Sequence, residues 1–244
     1  MSAEEFLVQF DVYYNNVTSN QAPGLNAYEK SLFLTKGQDE ILKNYFNPAG
    51  NKYQAGYDGN QKRQIDFTQI TEVERITEFN DPVYDTRANV KSIVLPHNIS
   101  MIINEKVRVS RKDKDVELTV SPISFAEYDR KMKGNYRWPL KSQAWRLITS
   151  RRADIVPGPN DTLEEYVVKF VRKPLPIIVG PLEGLTIDGC CFAGDGTENA
   201  VEVEGCELND ILHEEILQRA VELAKASWAA ENTELLMQAG QRSE

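Results

Sequence analysis

Reactive side chains are sparse in this chain, and the first question is which of them stand where chemistry could use them. A nucleophile or a metal centre would have to be drawn from His97, His213, Cys190, Cys191 and Cys206. Structural zinc takes about four Cys or His ligands in closely spaced pairs, and no Cys-x-x-Cys occurs here, so a metal site is not expected. No Gly-x-Ser-x-Gly elbow is present, and the cysteines read as small apolar residues with free thiols. The glycines of GCCFAGDGTE do not lie between a strand and a helix start with a lysine, so they form no phosphate cradle. His213 adjoins Glu214 and Glu215 on a predicted helix and reads as a surface or interface histidine. Acid pairs such as Glu164-Glu165 become catalytic only where burial raises one pKa, which spacing does not reveal. No residue set able to run an enzyme mechanism emerges, and no cofactor is expected.

Charge narrows the partners. Lys and Arg total 28 against 37 Asp and Glu, a formal net charge of −9. The excess is local: residues 177–244 hold 14 acids and 3 bases, and residues 1–176 are nearly balanced. Such a chain has no general attraction for nucleic acid. Its one basic patch, Lys106, Arg108, Arg111, Lys112 and Lys114, alternates with Asp113, Asp115 and Glu117 and reads as a solvated hairpin. No apolar run is long enough to span a bilayer, and the start MSAEEFLVQF carries acids where a secretory signal carries Lys or Arg. A cytosolic protein is expected, in which the sequons at Asn16, Asn98 and Asn160 have no role.

The elements that would position these residues follow from periodicity. Ser2 with Glu5 forms a capping box, and Phe6, Phe10, Tyr14 and Val17 then recur at helical spacing over residues 3–17. Pro23-Gly24 breaks that helix, and Asn26 with Glu29 opens a second, which runs to Asn47-Pro48. Gly37 inside it costs about 1 kcal/mol relative to Ala and marks a candidate close helix contact. Residues 66–76 read as a short helix. The period then shortens: residues 93–95, 99–103, 107–109, 116–120, 145–148 and 166–170 are β-branched or alternating, as antiparallel strands are. A layer of about five strands is expected. Ser124 caps a short helix, FAEYDRKM, that ends at Gly134. From Glu207 to Met237 the helical period returns over the longest apolar face of the chain.

The expected fold is therefore α+β: a helical bundle of two N-terminal helices and a long C-terminal helix, with an inserted antiparallel β layer. One domain over 1–244 is expected, its helical part residues 1–47 and 207–244, its β-rich insertion 48–206.

The stretch FDVYYNNVTSNQAPGLNAYEKSLFLTKGQDEILKNYF, with the centre VSPISFAEYDRKMKGNYRWPLKSQAWRL, then YVVKFVRKPLPIIV and LHEEILQRAVELAKASW, resembles head–tail connector proteins of tailed double-stranded DNA bacteriophages. The wording is most similar to ring proteins of crAss-like podoviruses. Gly37 departs from that pattern, and the acidic, glycine-rich residues 190–207 have no counterpart in it. The resemblance implies a structural virion protein, assembled in host cytoplasm, that forms a ring of about twelve subunits in the neck between portal and tail. It implies the portal and other ring or tail proteins as partners, no membrane, and double-stranded DNA passing through the channel without sequence-specific binding. An acidic wall suits that role, since it repels phosphate. Aromatic residues dominate subunit interfaces, which nominates Tyr136, Trp138 and Trp145. The trio Leu235, Leu236 and Met237 in the polar C-terminal end is expected to dock in a groove of a neighbouring ring or the portal. The competing expectation is a non-catalytic cytosolic scaffold or binding protein acting as monomer or dimer.

Overall fold

Two capping boxes start the first two helices of the computed structural model, as their spacing requires. The structure describes residues 1–17, 24–46, 61–85, 87–112, 114–134, 137–182, 184–190 and 205–228. In helix α1 (Ala3–Val17) the Glu5 amide donates to Ser2 Oγ and the Ser2 amide to Glu5 Oε2. In helix α2 (Ala27–Phe46) Asn26 and Glu29 exchange the same pair of bonds at 2.8 and 2.9 Å. A short helix α3 (Gln61–Asp66) and a 3-10 turn (Thr68–Ile70) follow.

The chain divides into two compact units, one of Met1–Ile70 with Pro174–Glu244, the other of Thr71–Lys173. In the helical unit, α1 and α2 both pack against α5 (Asp210–Trp228). Gly37 sits at the α2–α5 crossing, where an added Cβ would lie 3.0 Å from Ile216 O and 3.1 Å from Ala220 N. A second contact was not foreseen from sequence. Ser31, Thr35 and Gln38 lie one and two turns apart on α2 and are buried. Their polar atoms bind the backbone of the extended segment after Lys173: Val179 N to Ser31 Oγ (3.0 Å), Ile177 N to Thr35 Oγ1 (3.2 Å), and Gln38 Nε2 to Leu175 O (2.9 Å). Buried backbone groups need partners, and this side-chain ladder supplies them where no strand does.

The other unit holds a seven-stranded sheet in the order β1-β7-β3-β4-β5-β6-β2. The strands are β1 (Thr71–Ile76), β2 (Lys91–Val94), β3 (Ile99–Arg111), β4 (Lys114–Pro122), β5 (Gln143–Thr149), β6 (Arg152–Val156) and β7 (Thr162–Arg172). Two expectations are corrected. The sheet is mixed, not antiparallel: β4 and β5 run parallel because helix α4 (Phe125–Lys133) crosses over between them, and parallel neighbours require such a crossover. Residues 71–76 form strand β1 on β7, not the end of a helix, because cross-strand pairing from Val171 to Tyr166 decides a segment whose local pattern is ambiguous. Ser124 caps α4 and Gly134 closes it, as read from sequence.

The curled sheet wraps one core of Ile93, Val107, Leu118, Ile155, Tyr166 and Phe170 among others. A smaller core of Val90, Tyr128, Trp145, Leu147 and Val156 lies on the opposite face, with Tyr128 supplied by α4. Alternation along β5 explains the split: Ala144 belongs to the first core, Trp145 and Leu147 to the second. Inside the first core Tyr166 Oη donates to Glu105, and Glu105 also pairs with Arg146 Nη1. Burial first, then the charge of Glu105, raises the Tyr166 phenol far above its ordinary pKa.

Candidate subunit interface

The loop before β2 is fixed by charge. Asp154 on β6 accepts the amides of Val83 (3.0 Å) and Tyr84 (2.7 Å) with its buried carboxylate. Asp85 accepts the Arg87 amide and its guanidinium, and Tyr128 Oη donates to the same carboxylate. Burial alone would raise the Asp85 pKa, but the bonds from Arg87 and Tyr128 outweigh it and hold the acid below its ordinary value. The Arg87 guanidinium in turn stands 4.0 Å from the Trp138 ring centre and donates Nη1 to Arg137 O at 3.1 Å.

The clamp displays aromatic side chains. The Tyr84 ring meets Phe125 edge to face at 4.8 Å and Tyr128 at 5.9 Å, and its hydroxyl donates to Asp129 at 3.0 Å. Tyr84 is nevertheless 43% exposed, Phe125 37% and their neighbour Val83 48%. Rings that are rigid before any partner arrives lose little conformational freedom on binding, which is the property of interface hot spots.

The sequence-nominated residues are distributed unevenly. Trp138 is half-buried beside Arg87 and joins the clamp. Trp145 is only 6% exposed, in the core under α4 with Lys131 Nζ 4.8 Å from its ring centre, and has little surface to offer a neighbouring subunit. Tyr136, Leu235, Leu236 and Met237 lie outside the described residues. Tyr84 and Phe125 were not nominated from the sequence, in which Tyr84 stands two positions after Pro82 in a loop and Phe125 opens a helix.

His213 and Cys206 are held inside the helical unit, whereas His97 is exposed and lines a cavity of the sheet unit. His213 is not a surface residue: it is 2% exposed, tilted against Phe6 at 5.4 Å, with Nε2 2.9 Å from Leu208 O and Nδ1 2.7 Å from the Met1 amino group. Burial, foremost, depresses its pKa. Cys206 donates to Gln38 Oε1 at 3.3 Å, and burial pushes its thiol up to about 11. Cys190 and Cys206 form no disulfide among the described residues, and Cys191 lies outside them. In the basic hairpin Lys106 pairs with Glu117 (2.5 Å), Arg108 with Glu165 (3.1 Å) and Arg111 with Asp161 (2.5 Å). Most of the patch is thereby neutralised. Among the described residues no helix is long and apolar enough to cross a membrane.

The phage tail ring protein 3/4 family matches residues 1–235. Ring protein 4/5 of Bacteroides phage crAss001 is 44% identical over the whole of both chains. Ring protein 3 of the same phage is 26% identical over 92% of this chain and 95% of its own length. A match that spans both units and all the described helices leaves one assignment: the chain belongs to the phage tail ring protein 3/4 family of crAss-like phages.

Proposed function

We propose that this chain is a structural subunit of a ring in the head–tail connector, stacked in the neck between portal and tail, with copies of itself as lateral neighbours. The observation that carries the reading is the pre-fixed aromatic patch of exposed Tyr84 and Phe125 with half-buried Trp138, on a protein whose relatives are ring proteins. In a closed ring each subunit presents this patch to a different surface of the next, and repetition of one such contact generates the circle. About twelve copies would match the portal. The chain's net charge of −9 suits a subunit beside a channel through which DNA slides, since it gives phosphate no general hold. The C-terminal segment with Leu235, Leu236 and Met237 carries attachment outside its own subunit, to a neighbouring ring or the portal. Assembly takes place in the host cytoplasm and the product is a virion component.

Co-expression with the cognate portal, followed by electron microscopy, tests the reading. Rings are expected with the native chain and are expected to be lost in the Tyr84→Ala, Phe125→Ala double variant. A double variant that still closes rings would remove the patch from the interface. Native chain that stays monomeric or dimeric with portal present would favour the scaffold alternative.

A further inference from the structure

Leu95, Ile99, Ile102 and Ile148, with the polar residues His97, Ser100 and Ser150, line a cavity of about 450 Å³, within the range of small-ligand pockets. The strand alternation that puts Ala144 in the core also turns Arg146 and Ile148 to the same face. Arg146 is the unusual lining residue. Its side chain is 10% exposed, its Nη1 faces Glu105, and its buried Nε has no hydrogen-bond acceptor among the described residues. Buried donors in native proteins are almost always met by an acceptor. At the rim stands Arg151, whose exposed guanidinium has no ion pair among the described residues. The cavity thus combines an apolar strip with one unmet buried donor and one cation unpaired among the described residues, a combination that fits a carboxylate attached to apolar side chains.

We infer that this cavity receives the C-terminal segment of a second copy of this chain, Glu234 facing Arg146 and Arg151, and Leu235 and Leu236 against Leu95, Ile99 and Ile148. The assignment rests on the reading that this segment docks outside its own subunit. Charge complementarity supports it: residues 229–244 carry Glu231, Glu234 and Glu244 against the single base Arg242. The acid precedes the apolar pair Leu235-Leu236 directly, so one short insertion satisfies both the cations and the walls.

Two experiments on the full-length protein decide it. A fluorescein-labelled peptide of residues 229–244, titrated with dilute protein and followed by anisotropy, is expected to bind saturably. Arg151→Glu weakens binding about tenfold or more, and a peptide carrying Glu234→Lys regains affinity for that variant. A peptide that does not bind, or binds Arg151→Glu equally well, overturns the assignment. A photo-crosslinking residue in place of Ile148, in a mixture of isotope-labelled and unlabelled chains, is expected to capture residues 231–237 of another copy. Capture of the same chain's own segment, or of a different region, overturns it. Rings that form while these cross-links are missing would sink the assignment and leave the ring reading intact; cross-links without rings would do the reverse.

Discussion

Gly37→Ala separates local helix preference from close packing, because the two predict opposite signs. Helix propensity alone favours Ala over Gly by about 1 kcal/mol, and a methyl buried without strain adds about 0.8 kcal/mol. The structure denies it room. The new Cβ would stand 3.0 Å from Ile216 O and 3.1 Å from Ala220 N, both backbone atoms that no rotamer change can move. Relief requires α2 and α5 to separate by a few tenths of an ångström along their whole contact. Overpacking of this kind costs about 1–3 kcal/mol, and a sub-ångström gap forfeits about a quarter or more of each dispersion contact along the seam. The two losses exceed the propensity gain, and a net destabilisation of about 1–2 kcal/mol is expected. For a chain of 244 residues each kcal/mol moves the melting temperature by about 2–4 °C, so Tm should fall by about 2–8 °C. Urea unfolding followed by far-UV circular dichroism, which weights the helical unit, should show a lower midpoint at unchanged slope. Gly37→Leu should lose more. An alanine variant as stable as the native chain, or more so, would refute the close approach of the two helices.

Three further outcomes follow. Glu105→Gln leaves the buried Arg146 cation without its partner and should destabilise the sheet unit by about 3–5 kcal/mol, measured by urea unfolding; a change under about 1 kcal/mol would contradict the pairing. The depressed pKa of His213 means that the unfolded chain binds the proton more readily, so its contribution is present above about pH 6.5 and lost as pH falls; the Tm gap between native chain and His213→Asn should therefore narrow from about pH 7.5 to 5, and a widening gap would reverse the sign. With its thiol raised to about 11 from 9.0, Cys206 holds about a hundredth of the ordinary thiolate fraction near neutral pH, so iodoacetamide should label it about a hundredfold slower than an unhindered thiol, which mass spectrometry can follow.

Features set by neighbours in sequence were legible, and features set by distant partners were not. The boxes at Ser2/Glu5 and Asn26/Glu29 and the cap at Ser124 are complete within one helical turn, and each forms as spacing predicts. Gly37 was legible because a helix-breaking residue inside a helix needs a reason. Strand β1 was not, since the partner that makes TEVERI a strand lies on β7. The parallel β4–β5 pair followed from where the chain re-enters the sheet after α4, which alternation does not encode. Ser31, Thr35 and Gln38 look like solvent residues on α2 until the segment after Lys173 supplies donors and acceptors for them. The same contrast holds at the proposed interface. Trp138 was nominated by its type, whereas Tyr84 gains its rigid, displayed position from Asp154, 70 residues later in the chain.

The central claim is that this chain closes into rings through the Tyr84–Phe125–Trp138 face. Electron microscopy of the co-expressed chain and portal tests it most directly, by counting subunits around the axis and locating that face in each. The account predicts a closed ring, about twelve-fold, with the three side chains between adjacent copies. A ring in which all three point to solvent or to the channel, or particles bearing the portal alone, would contradict it.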